Sequence, residues 1–110
     1  MDPEVARQTL FEDLRQIRSA LGHLENNGLS VISPLALRAG QLEHLLQAAL
    51  PLATRKTFAT YFHREFQLFA DRIQGLSEVD ATALPARADE AMEYCERLTA
   101  ELHKAFDPST

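Results

Sequence analysis

Tryptophan is absent from this sequence, and cysteine occurs once, as Cys95. A lone cysteine excludes an internal disulfide and agrees with a reducing compartment. Glycine and proline are sparse, with four and five residues in 110, and they fall between periodic segments, which is the distribution of helices joined at discrete corners. No apolar run approaches the roughly 20 residues that a membrane helix needs. The opening Met1-Asp2-Pro3-Glu4 lacks the basic start and apolar stretch of a secretory signal, so a cytoplasmic protein is expected. Basic residues are also short, 11 against 16 acidic, for a net charge of -5. An acidic balance argues against nucleic acid as partner, because phosphate contacts need a basic face.

What is present is ordinary for one globular domain spanning residues 1–110: 45% hydrophobic and 25% charged residues, so disorder is not expected. The charge is uneven. By segment it is -2 over residues 1–28, 0 over 29–50, +2 over 51–75 and -5 over 76–110. The acidic last segment reads as a solvated helix face.

The periodicity predicts four helices. The first spans about 3–27: Asp2 suits the N-cap and Pro3 the first helical position. Leu10, Leu14, Ile17, Leu21 and Leu24 make an unbroken seam, and Asn26-Asn27-Gly28 ends it, with Gly28 free to take a left-handed conformation. Leu29 to Ile32 is a short connector, too short for a strand. Ser33-Pro34 is expected to cap a second helix over 34–50, with Leu35, Ala39, Leu42, Leu46 and Ala49 on one face, Leu45 and Leu50 widening it, and Leu37 nearly opposite. Pro51 either ends that helix or kinks it into the next. The third helix, over 54–74 and stopped by Gly75, holds five of the eight aromatics. Phe58, Tyr61, Phe62, Phe66, Phe69, Leu68 and Ile73 cover an arc of about 160° at about 100° per residue, wider than contact with one neighbour needs. After a connector in which Ser77-Glu78-Val79-Asp80 caps a short turn, Pro85 opens a fourth helix over 85–106. Its seam is Ala88, Ala91, Cys95, Leu98, Leu102 and Ala105, broadened by Met92 and Phe106. The expected fold is all-α: a four-helix antiparallel bundle or open helical array completed by dimerisation. The alternative is a monomer whose wide helices are simply central.

Motifs that carry chemistry are not found. His23, His44, His63 and His103 fall one per helix beside polar neighbours, without Glu-x-x-His or His-x-x-x-His spacing, so no metal site is expected. Neither His23-Leu24-Glu25 nor His63-Arg64-Glu65 has the exposed mid-helix histidine and small following residues of a phosphotransfer domain. Cys95 belongs to an apolar seam and is expected to be an inert small hydrophobe. No glycine-rich phosphate loop or catalytic triad spacing occurs. The chain is therefore expected to be non-enzymatic, with no catalytic residue and no cofactor.

Two binding classes remain. Residues 41–61 read superficially as helix, turn and recognition helix, with Thr54, Arg55, Lys56, Thr57 and Thr60 placed to meet DNA. Against this stand a proline in the turn, an aromatic third helix and acidic flanks. The favoured class is protein binding through apolar helix faces. Phe11 and Leu37 stand off the seams of their helices, and exposed apolar residues in such places mark interfaces. With Tyr61, Leu68 and the nearby Arg55 and Lys56, they form the candidate interface. Phe58, Phe62, Phe66 and Phe69 are expected in the core.

The capped Asp2-Pro3-Glu4 start, the Leu10–Leu24 seam, Ser33-Pro34-Leu35-Ala36-Leu37 and the aromatic helix Phe58–Phe69 together resemble the small helical antiactivators of the QslA type, which restrain LuxR-family quorum-sensing regulators. The resemblance covers the whole chain rather than one motif. It implies an α-helical homodimer that binds a transcriptional activator, disrupts the activator's dimer and so removes it from DNA. It transfers no individual functional residue. In general character the chain is also similar to flagellar and type III export chaperones, which hold an amphipathic segment in a helical groove, and to immunity proteins.

Overall fold

The computed structural model describes residues 1–24, 28–54 and 58–106. They form four α-helices, α1 (Pro3–Leu21), α2 (Ile32–Ala49), α3 (Phe58–Gly75) and α4 (Leu84–Phe106), linked through single 3-10 turns at Leu29–Val31, Leu50–Leu52 and Leu76–Glu78. Among the described residues there is no strand.

Each helix boundary has a local cause. The Asp2 carboxylate accepts the Val5 N–H at 3.2 Å, closing the N-terminus of α1 where backbone donors lack helical partners. α1 stops at Leu21, earlier than Asn27, because Gly22 and His23 tighten into three-residue bonds to Ser19 and Ala20 carbonyls. Leu24 is nevertheless buried and continues the seam, while residues 25–27 lie outside the described part. Gly28 has a positive φ of 78°, but its ψ of 173° is extended, so it does not take the left-handed helical conformation expected; this region is open essentially to glycine alone. α2 begins at Ile32 rather than at Pro34, with Val31 as a cap lacking any side-chain bond. The preceding 3-10 turn runs straight into the helix, so Ser33 and Pro34 occupy its first turn. There a proline sacrifices no helical hydrogen bond. Pro51 ends α2: it sits in a 3-10 turn, after which Ala53 is extended with ψ 140°. Thr54 then donates from both its N–H (2.9 Å) and its hydroxyl (2.8 Å) to the Ala105 carbonyl. An orphan acceptor at the end of α4 is thereby satisfied.

The helices pack in sequence order around one core, α2 against α1 and α3, and α4 against α1 and α3. Paired contacts run in opposite directions along neighbouring helices: Phe11 meets His103 and Arg18 meets Glu96 between α1 and α4, Tyr61 meets Glu101 and Phe69 meets Tyr94 between α3 and α4, and Glu43 meets His63 while Gly40 faces Ala70 between α2 and α3. The bundle is therefore antiparallel. α2 approaches α3 most closely, and a Cβ built on Gly40 would meet Ala70 Cβ at 4.0 Å. α4 stands farther off; Phe62, Phe66 and Phe69 are fully buried, and Phe69 stacks on Tyr94 of α4. The breadth of the α3 stripe is thus absorbed within one chain, since α3 meets both α2 and α4. It does not by itself leave surplus surface for a dimer. No polar or charged side chain is buried among the described residues, and none of the described helices is long and apolar enough to cross a membrane.

Candidate protein-binding surfaces

The offset of α4 leaves a groove along its seam with α1. α1 turns Arg7, Phe11, Arg15 and Arg18 toward α4 because they recur at spacings of 4, 4 and 3, one step round the helix from the buried Leu10–Leu14–Ile17 row. α4 answers with Glu96, Thr99, Ala100 and His103. One stretch of the groove, about 410 Å³, is lined by Phe11, Leu14, Arg18, Glu96, Thr99 and Ala100 among others. A second, about 430 Å³, shares Phe11, Arg15 and His103 and reaches Arg7 and Phe106. From Arg7 to Arg18 the trough runs about 17 Å at 1.5 Å per residue, the length of three turns of a visiting helix. Aromatic rings line it: the half-buried Phe11 stacks on the exposed His103 at 4.3 Å and meets Phe106 edge-on at 6.2 Å. Its rim carries charges held in pairs, Arg15 with Glu12 at 3.1 Å and Arg18 with Glu96 at 2.6 Å.

Across the bundle, the α3–α4 seam is closed by a polar lattice. Glu65 accepts from Arg97 at 2.7 Å, from the Tyr94 hydroxyl at 3.2 Å and from the Tyr61 hydroxyl at 3.3 Å. Tyr61 also donates to Glu101 at 2.5 Å. Arg97 and Arg72 sit over the Tyr94 ring at 4.4 and 5.0 Å, and that ring stacks on Phe69 at 5.7 Å. The Glu101 bond, burial and two neighbouring carboxylates hold the Tyr61 hydroxyl well above its usual pKa, since each disfavours the phenolate. Burial and Glu65 do the same for Tyr94.

The four candidate interface residues that the structure describes do not converge on one patch. Phe11 is half-buried and lies in the α1–α4 groove, engaged by His103 and Phe106. Tyr61 and Leu68, two turns apart on α3, share the flank beside α4 and are 43% and 41% exposed. Leu37 projects from α2, on the side of the bundle away from α4, and is 64% exposed. Arg55 and Lys56 lie outside the described residues. Phe58 is half-buried beside a small apolar hollow of about 370 Å³ formed with Tyr61, Phe62, Glu101 and Lys104. Tyr94, Glu65 and Arg97 escape a hydropathy reading because a charge at helical spacing reads as solvated face. The available signal was their register: Glu65 lies one turn from Tyr61, and Arg97 lies one turn from both Tyr94 and Glu101.

The four histidines are all exposed. His103 is stacked on Phe11, His63 Nδ1 lies against the Glu43 carboxylate, and His23 Nδ1 lies 2.7 Å from the Ser19 carbonyl. Cys95 is 1% exposed, and its thiol donates to the Leu14 carbonyl at 3.3 Å. Burial pushes its pKa up to about 11, the opposite of a nucleophile's tuning. α2 and α3 run side by side, with Glu43 pairing His63 and Gly40 facing Ala70. Helix-turn-helix pairs instead cross at about 90–120°. In comparisons with known proteins, no family model, curated protein or solved structure matches the chain.

Proposed function

We propose that this chain is a non-enzymatic regulatory protein of the cytoplasm, a helical antiactivator that works as a homodimer. It takes an amphipathic helix of a transcriptional activator into the α1–α4 groove and so breaks the activator's own dimer. The observation that carries the reading is the groove itself, a trough about three helical turns long lined by Phe11 and His103. Helix-in-groove recognition needs an apolar floor for residues at helical spacing and a charged rim to set orientation. An activator whose dimer helix lies in this trough cannot present two half-site readers to DNA together. The resemblance to QslA-type antiactivators supplies the class of partner.

The test is a mobility-shift titration with a LuxR-type activator on its operator. Wild-type protein is expected to release the DNA, and A100W, which fills the groove from an exposed α4 position, is expected to lose release while keeping its helical circular dichroism. Release by A100W equal to that of wild type overturns the groove. No release by wild type overturns the antiactivator reading.

A further inference from the structure

Each helix except α2 exposes charged residues. From Gly28 to Thr54, every residue that the structure exposes is uncharged, with histidine counted as neutral. The two charges that α2 does carry are turned sideways into its neighbours. Arg38 bonds Asp13 at 2.8 Å and Gln16 at 2.6 Å on α1, and Glu43 pairs with His63 on α3. What remains outward is Leu37, Gln41 and His44, with Gln47 beyond them; the half-buried Ala48, which also packs against the core, completes a row spaced 4, 3 and 4 residues apart in the manner of a coiled-coil seam. Leu37 is 64% exposed and the nearby Leu29 51%.

We infer that this outer face of α2 is where a second copy of the chain docks, α2 against α2 about a two-fold axis. Charge selects the occupant. Two copies that each carry -5 repel, and a two-fold interface sets a face against itself, so like charges on it would oppose one another. Of the four helices, only α2 offers an outer face free of that penalty. A charged partner would instead leave its own charges unanswered there. The stripe also complements itself in shape. Antiparallel pairing about its midpoint sets Leu37 of one chain over Ala48 of the other, large against small, and Gln41 beside His44. The inference rests on the homodimer proposed above and adds its location, leaving the α1–α4 groove open on both copies.

Size-exclusion chromatography with light scattering tests it, using wild type, L37K and, as a control on the α3 flank, L68K. Both substituted positions are exposed, so helical circular dichroism is expected to be unchanged in each. Wild type and L68K are expected to run at twice the chain mass, and L37K at the chain mass. A buried unpaired lysine weakens such a dimer by at least about a hundredfold. If L37K remains dimeric, the α2 face is overturned while the homodimer stands. If wild type is monomeric at high concentration, both fall.

Discussion

Alkaline pH should loosen the contact between α1 and α4 through one thiol. Cys95 is 1% exposed on the inner face of α4 and donates to the Leu14 carbonyl of α1. Burial is the largest influence on it and raises its pKa from 9.0 to about 11, against smaller opposing pulls from Thr99 and Arg18. The folded pKa is therefore the higher one. The unfolded chain releases this proton first, so the group's contribution to stability is complete below pH 9.0 and is lost as pH rises toward 11. A separation of that size corresponds to roughly 2–3 kcal/mol, a large share of the roughly 5–15 kcal/mol that holds such a domain together. Urea unfolding followed by circular dichroism, under reducing conditions, at several pH values across this window measures the loss. The comparison is with C95A, which should start about 1 kcal/mol less stable for its missing sulfur. It should then lose markedly less stability on the way up, because every other group that titrates over this range is common to both proteins. Parallel pH profiles for the two would refute the reasoning and place the thiol in contact with water. A native thiol that reacts with a disulfide reagent as fast as in urea would do the same.

Glu65 anchors the α3–α4 lattice, so E65Q is expected to cost about 1 kcal/mol in urea unfolding, as befits an ion pair with one partner half exposed. Tyrosinate absorbance in the same variant should rise at lower pH than in wild type, because Glu65 is among the groups that hold both Tyr61 and Tyr94 in the phenol form. An unchanged titration would show that burial and Glu101 act alone. Gly28 holds φ 78° with nothing within 4 Å of a built Cβ, so G28A tests backbone conformation free of crowding. A loss of about 1–3 kcal/mol is expected, and no loss would mean that the turn adopts another path in solution.

The all-helical architecture was legible because apolar spacing survives any rearrangement of caps. Leu10, Leu14, Ile17, Leu21 and Leu24 are all buried, as are Phe62, Phe66, Phe69 and Ile73. Helix ends were less legible. Ser33-Pro34 has the chemistry of a start, yet the 3-10 turn at Leu29–Val31 lets the helix begin two residues sooner. Gly22 ended α1 where Asn26-Asn27-Gly28 looked the stronger stop, since a single glycine in a helical pattern gives no directional signal. Leu37 was recognisable as outward-facing from its angle alone. Phe11 was recognisable as off the seam, but its stacking on His103 depends on residues about ninety positions apart in the chain, which periodicity cannot register. Tyr61 was recognisable by its angle as a candidate interface aromatic and is exposed, but the engagement of its hydroxyl by Glu65 and Glu101 was not legible.

Hydrogen exchange with and without a LuxR-type activator bears most directly on whether this chain works by lodging a partner helix between α1 and α4. Slowed exchange confined to the stretches Arg7–Arg18 and Glu96–Phe106, with the outer face of α2 equally protected in both states, is the expected footprint. Protection that falls elsewhere, or exchange that the activator leaves unaltered, contradicts it.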